Sequence, residues 1–236
     1  MKISRKIIII LALSLVFFAI IGCGLFQISK SRTFQFFGEL NNHVNTNQKI
    51  IALTFDDAPT GYTDEVLKIL AKKNVKATFY AIGQSLEKYP NQAKEIIKQG
   101  HELGNHSYSH QRFIFKSQSF IKNEIEKTNQ LIHEAGYTGE ITFRPPNGKK
   151  LLGLPWYLQQ NNIKTIMWDV EPDTYVSGNS KLIVKYTLEN IKPGSIILLH
   201  PFCAKQCAAD REALPVIIDS LKTKGYSFVT ISQLLK

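Results

Sequence analysis

The chain has 236 residues, 44% of them hydrophobic and 20% charged, with glycine and proline spread along its length; it can bury one substantial core, and the composition argues against disorder. Its formal net charge is +10, of which Lys2, Arg5 and Lys6 supply three, leaving a diffuse +7 on the remainder. No Lys/Arg run interleaved with aromatics occurs, so nucleic acid is not the expected partner; the excess suits attraction to an anionic envelope polymer, or solubility alone.

Lys2, Arg5 and Lys6 precede Ile7 to Phe26, a charge-free stretch rich in Ile, Leu, Val and Phe. It reads as an export signal or a membrane anchor. About 20 apolar residues can cross a bilayer, so length leaves both readings open. The run Ile20-Ile21-Gly22-Cys23 resembles a bacterial lipoprotein cleavage box, in which a lipidated cysteine becomes the mature N-terminus; Ile21 is bulkier than the small residue usual there. Either way the basic residues stay inside and the domain is tethered outside the cytoplasm. The polar, aperiodic stretch Gln27 to Gln48 reads as a linker. The expected organisation is therefore 1–26 signal or anchor, 27–48 linker and 49–236 catalytic domain.

From Ile50 short β-branched or aromatic runs alternate with amphipathic helical stretches. Strands are expected at Ile50 to Phe55, Lys76 to Ile82, Glu102 to Asn105, Ile141 to Phe143, Ile163 to Trp168, Ser195 to Leu199 and Ser227 to Thr230. Helices are expected from about Thr63, over Asn91 to Lys98, Ser119 to Glu134, Pro155 to Gln160, Ser180 to Asn190 and Glu212 to Lys222. Such alternation implies parallel strands with right-handed crossovers, in a barrel or an open sheet. No glycine-rich dinucleotide or phosphate loop follows any strand, so no nucleotide cofactor is expected.

Five segments carry the chemistry, each at or just after a predicted strand end, where a parallel barrel gathers catalytic groups. Asp56 and Asp57 close the first strand; adjacent residues of a persisting strand face opposite ways, but at its end both can turn to one site. Paired carboxylates in an apolar setting need a cation. His106 and His110, four apart, project from one face if they share a helical turn. Two His and a carboxylate with open positions suit Zn²⁺, and also Co²⁺, Ni²⁺ or Fe²⁺. Arg144-Pro145-Pro146-Asn147-Gly148, Trp168 to Asp173 and Leu198-Leu199-His200 complete the set. Cys203 and Cys207, an even pair once Cys23 is set aside, can close a small loop in an oxidising compartment or stand as separate thiols.

The order and content of these segments resemble the five motifs of the polysaccharide deacetylase family, the NodB-homology domain, over about Lys49 to Lys236. That resemblance implies a distorted (β/α) barrel and metal-dependent removal of acetyl groups from sugars. By resemblance, Asp56 is the general base, Asp57, His106 and His110 hold the metal, and Arg144 pairs with the base. His200 is the general acid, Leu199 walls the acetyl pocket, and the Asn147 N–H donates to the oxyanion. The fourth motif departs from the family's Asp-Trp. Asp173 is the favoured partner of His200 and Tyr175 the aromatic wall, with Asp169 and Glu171 as alternatives. His43, His101 and His133 match no motif and read as structural, and Trp156 and Tyr157 read as core.

The implied function is deacetylation of N-acetylglucosamine units of a cell-envelope or chitin-like polysaccharide by an exported, membrane-tethered enzyme. The alternatives are an O-acetyl (xylan-type) esterase of the same fold and a catalytically silent glycan-binding module.

Overall fold

The computed structural model describes residues 4–176 and 178–236; Lys2, one of the charges ahead of the apolar stretch, lies outside the described residues. The apolar stretch is one helix, α1 (Arg5–Ser29), and its window Ile8–Ser29 has a mean hydropathy of 2.9 and is largely exposed, with Ser29 at its end buried. At 1.5 Å per residue that window spans about 33 Å, matching a hydrocarbon layer of about 30 Å.

Strand and helix then alternate as β1 (Leu40–Asn41), β2 (Ile50–Ala58), α2 (Thr63–Lys73), β3 (Thr78–Ala81), α3 (Gly83–Lys88), α4 (Pro90–Lys98), β4 (Glu102–Asn105) and α5 (Gln118–Glu134). The second half continues as α6 (Gly153–Gln160), β5 (Thr165–Ile166), α7 (Pro172–Tyr175), α8 (Ser180–Asn190), β6 (Ile196–Leu199), α9 (Ala208–Thr223), β7 (Ser227–Val229) and α10 (Ile231–Leu234). All these strands pair in parallel, in the order β4-β3-β2-β6, with β7 beside the start of β2 and β1 on β5. Single-residue bridges close the ring: Asn105 to Phe143, Phe143 to Thr165, and Val170 to Ile197. The fold is thus the distorted (β/α) barrel that the family resemblance implies, and it settles the choice between barrel and open sheet that alternation left open. Ile141 to Phe143, expected as a strand, contributes only Phe143.

The period-2 alternation of β2 sorts its side chains. Ile51, Leu53 and Phe55 pack against α2 through Val66, Leu67 and Leu70 and against α9 through Leu214, Ile217 and Ile218. Ala52 packs the other way, among Tyr80, Ile196, Leu198 and Trp168 inside the barrel. Thr54 and Asp56 share that inward side. Each fully buried Leu, Ile or Phe contributes roughly 1.5–3 kcal/mol, so this packing fixes where the strand ends lie.

Gln27 to Gln48, expected as a linker, packs onto the domain at several points. Leu40 and Asn41 pair with Thr165 and Ile166, and His43 Nε2 lies 2.9 Å from the Pro193 carbonyl oxygen. Phe37 meets Trp156 edge-on at 5.4 Å. Trp156, expected in the core, is 46% exposed and serves to hold this segment. His101 is structural as expected: buried, with Nδ1 accepting from the Ala77 N–H at 3.1 Å.

Candidate active site

The site opens at the C-terminal ends of β2, β4 and β6. Asp57 belongs by alternation to the outward face of β2, yet its φ of 67° and the register shift between Phe55 and Ala58 swing it to the inner side. The strand therefore runs on past the Asp pair, and a bulge brings both carboxylates to one place. Among the described residues, Asp57, Ser107, His110 and Asn147 are four of the seven non-glycine positions with positive φ. Strain of about 1–3 kcal/mol at each such position persists only where the surroundings enforce it, and here it concentrates in the site loops.

His106 and His110 do not lie on a helical turn. Residues 106–110 form a loop held by side chains. Ser107 N–H donates to Asn105 Oδ1 at 2.7 Å, and His110 N–H to Ser107 Oγ at 3.0 Å. Glu124, buried on α5, accepts from Tyr108 N–H at 3.0 Å, Ser109 N–H at 2.8 Å and Ser109 Oγ at 2.8 Å. Glu124 belongs to none of the five motifs. The available signal was a carboxylate within the apolar stripe Ile121, Ile125, Ile132 of its helix.

His106 Nδ1 lies 2.7 Å from the Arg144 carbonyl oxygen. A carbonyl only accepts, so Nδ1 carries the proton and the Nε2 lone pair faces the carboxylates. Nε2 is 3.5 Å from Asp56 Oδ2 and 3.8 Å from Asp57 Oδ1, while His110 Nε2 is 3.4 Å from the same Asp57 oxygen. Burial, followed by the neighbouring His106, lowers the pKa of His110, which favours the neutral ligand form.

One donor atom each from Asp57, His106 and His110 lies within 4.8 Å of the other two. Asp57 Oδ1 is buried without a hydrogen-bond partner, an arrangement that is costly unless a cation takes the lone pairs. The donor set and the orphaned oxygen together fit a divalent ion.

Asp56 sits behind this cluster, 2% exposed. Arg144, fully buried, donates through Nη1 to Asp56 Oδ1 and Thr54 Oγ1, both at 2.8 Å, and through Nη2 to the Met167 carbonyl at 3.2 Å. Its guanidinium stacks 4.1 Å from the Tyr80 ring centroid. A Cβ on Gly104 would meet Tyr80 at 2.5 Å, so glycine there lets Tyr80 lie beneath the arginine. Burial alone would raise the pKa of Asp56; Arg144, with help from His106 and His200, holds it below the usual carboxylate range.

Across the site, Asp173 on α7 accepts from the His200 backbone N–H at 2.7 Å and lies 2.9 Å from His200 Nδ1. Burial opposes the imidazolium, but the hydrogen bond and charge of Asp173 outweigh it and push the His200 pKa up to about 10. Asp169 is engaged elsewhere, with Ser195 Oγ at 2.9 Å and Ile196 N–H at 2.8 Å. Glu171 accepts from Trp168 Nε1 and Thr174 Oγ1, both at 2.8 Å.

These groups enclose a cavity of about 430 Å³. Asp56, Asp57, His106, His110, His200 and Asn147 line it, and Trp168 forms its aromatic wall. Tyr175, expected in that role, is 54% exposed, stacks on Tyr186 and stands outside the lining. Leu199 also leaves the site: it is fully buried in the core, paired with Phe55 across β2 and β6. Alternation points its side chain away from the cavity that His200 faces. Lys30 and Arg32, from the segment after α1, line the cavity as well, and no sequence signal marked them. Cys203 and Cys207 are joined by a disulfide just before α9, while Cys23 is free and exposed on α1.

A parallel barrel presenting an Asp-His-His cation site between a fixed carboxylate and a carboxylate-held imidazole is the architecture of a metal-dependent hydrolase. The polysaccharide deacetylase family profile matches residues 43–166. A peptidoglycan-N-acetylglucosamine deacetylase of Bacillus cereus is 37% identical over 193 residues, covering 80% of this chain and 70% of that protein. A bifunctional xylanase/deacetylase of Pseudobutyrivibrio xylanivorans is 38% identical over 83% of this chain but only 32% of its own length. The crystal structure of a peptidoglycan N-acetylglucosamine deacetylase superposes with a TM-score of 0.78 at 34% identity, over 82% of this chain and 91% of that one. The chain belongs to the polysaccharide deacetylase family.

Proposed function

We propose that the protein removes acetyl groups from N-acetylglucosamine units of a cell-envelope polysaccharide such as peptidoglycan. One observation carries the reading: Asp56 and the Asp173-held His200 line the same cavity as the Asp57, His106 and His110 donors, from different strand ends. Asp57, His106 and His110 would hold a divalent ion, which when bound would supply polarisation of the acetyl carbonyl and a more acidic water.

The chain's own groups do the rest. Asp56, ionised and fixed by Arg144, takes the proton from the attacking water. Asn147, presented to the cavity by its left-handed turn, offers its backbone N–H to the developing oxyanion. His200 gives its proton to the departing amine, which leaves badly as an anion. Asp173 keeps that proton in place and orients the ring.

Zinc is the proposed ion, with cobalt, nickel or iron as substitutes, because two imidazoles and one carboxylate leave positions open. The proposed organisation is an anchor or signal over 1–26, a linker over 27–48 and the catalytic domain over 49–236. Retained α1 or a lipid on Cys23 would tether the enzyme outside the cytoplasmic membrane; the intact mass of membrane-extracted protein separates the two.

The test is acetate release by the full chain in detergent with Zn²⁺, from peptidoglycan fragments, chitin oligomers and acetylxylan. Release from N-acetylated glycans, lost in Asp56→Asn, is expected. No release from any of them, with Asp56→Asn indistinguishable, sinks the reading. Release from acetylxylan alone replaces it with an O-acetyl esterase. An alcohol leaves more easily than an amine, so an esterase should depend less on His200. A silent glycan-binding module predicts a missing ligand or base, and every one is present.

A further inference from the structure

The segment after α1 is built into the catalytic barrel. Lys150, only 1% exposed, donates its backbone N–H to the Ser29 carbonyl at 2.9 Å and its Nζ to the Ser31 carbonyl at 2.5 Å. A buried ammonium without a carboxylate needs such acceptors, so this lysine fixes residues 29–32 in register. The consequence falls on the residues between and after these carbonyls. Lys30 is exposed at the cavity lip and Arg32 reaches the aromatic wall. Arg32 Nη2 donates to Tyr175 Oη at 2.6 Å, and its guanidinium lies 5.6 Å from the Trp168 ring centroid.

Lys30 and Arg32 line this lip and Lys149 stands beside Lys30, although no run in the sequence announces them. The Lys30 and Lys149 ammoniums stand 5.1 and 4.7 Å from the centroid of one ring, Phe26. Burial, then Lys30 and Arg112, lower the Lys149 pKa, so the positive groups feel one another. Asn147 and Gly148, immediately before Lys149, line the cavity. Arg32 has a partial counter-charge in Glu171 at 3.6 Å; among the described residues, neither Lys30 nor Lys149 forms an ion pair with a carboxylate.

We propose that Lys30, Lys149 and Arg32 form an anion subsite at the lip of the cavity, which takes a carboxylate on the sugar unit next to the one being deacetylated. The proposal rests on the deacetylase reading for the neighbouring site. It makes substrate choice depend on residues from the membrane-proximal segment. A neutral N-acetylated glycan fits the catalytic groups equally well and gains nothing at the lip. The negative partner is assigned to substrate rather than to a lipid headgroup because Lys30 and Arg32 line the same cavity as His200 and Asp57.

The experiment uses the full chain in detergent with Zn²⁺ and a glycan fragment bearing a carboxylate beside its N-acetylated unit, against the same fragment with that carboxylate methyl-esterified. Affinity is read by titration calorimetry and acetate release by steady-state kinetics. The free carboxylate is expected to bind several-fold tighter at low salt. Lys30→Gln and Lys149→Gln should each remove about three- to five-fold of that preference, through KM and not kcat, and added salt should mimic them. Equal affinity for both fragments overturns the proposal. So does a variant that weakens both fragments alike, or one that weakens binding only to vesicles of anionic phospholipid while the fragment preference stands. Carboxylate-dependent binding without acetate release sinks the catalytic reading and leaves the subsite standing; acetate release without carboxylate dependence does the reverse.

Discussion

The two sides of the cavity are held by different means. On the side of β2 and β4, Asp57, His106 and His110 come from two strand ends and are fixed by strained backbone and buried side chains, Glu124 and Asn105 among them. On the side of β6, His200 and Asp173, the latter on the short helix α7, sit beside Trp168 and Glu171 from the loop before that helix and Arg32 from the segment after α1. The first side is rigid because each donor is enforced locally. The second is assembled from pieces distant in sequence.

This contrast can be broken by substitution. Asp56→Asn, which removes the proposed base but keeps its shape, is expected to lower kcat by about 10²–10⁴, with zinc content by metal analysis unchanged. If activity survives, the carboxylate is only a structural partner of Arg144. Leu199→Ala sharpens the contrast differently. As a core residue it should cost about 2–5 kcal/mol of stability in denaturant unfolding, with KM of the folded protein unchanged. A raised KM at full stability would return Leu199 to the pocket.

Glu124 tests how the first side is enforced. Glu124→Gln leaves two loop N–H groups with a weaker acceptor, and about 10- to 100-fold weaker zinc binding is expected by competition with a chelator. Unchanged affinity would mean that the loop holds its own shape.

Asp173→Asn probes the second side through pH. Asp173 raises the His200 pKa, and the acid must be protonated, so the alkaline limb of kcat/KM, set near 10 by His200, should move to lower pH in the variant. In the stability–pH profile the raised pKa works the same way: the contribution is complete below about 6.5, the unfolded value, and is lost as pH rises through about 10. Asp210, pushed up to about 7 by burial and by Asp173, titrates in between, and Asp210→Asn separates the two. An alkaline limb that does not move under Asp173→Asn removes His200 as the acid.

The smallest effect is expected at the disulfide. Its sequence separation is 4, and a loop that short contributes about 2 kcal/mol by chain entropy. Reduction should lower the melting temperature by several degrees and leave kcat and KM in place. A loss of activity would make the loop after His200 part of the site.

Much of the first side was legible in the sequence. The Asp pair, the His pair and the Arg-Pro-Pro turn are short motifs at strand ends, and strand ends follow from local periodicity. Even there the means differed, since the His pair stands on a braced loop and Asp57 reaches the site through a bulge. The second side was only partly legible. Asp173 was favoured over Asp169 and Glu171, and the structure gives it the 2.9 Å approach to His200 Nδ1. Tyr175 and Leu199 were expected in the cavity and lie outside it.

By itself, then, the sequence determined the strand–helix alternation and the motifs, and through their family resemblance the barrel and the reaction class, because alternation and short motifs are local properties of a chain. Only the tertiary structure decided which face Asp57 turns to and which carboxylate meets His200. It also decided that Glu124 braces the His loop, and that Lys30 and Arg32 reach a cavity whose other walls lie up to about 170 residues away in sequence. Contacts of that separation arise when the barrel closes and buries its core, and they leave no periodic trace along the chain.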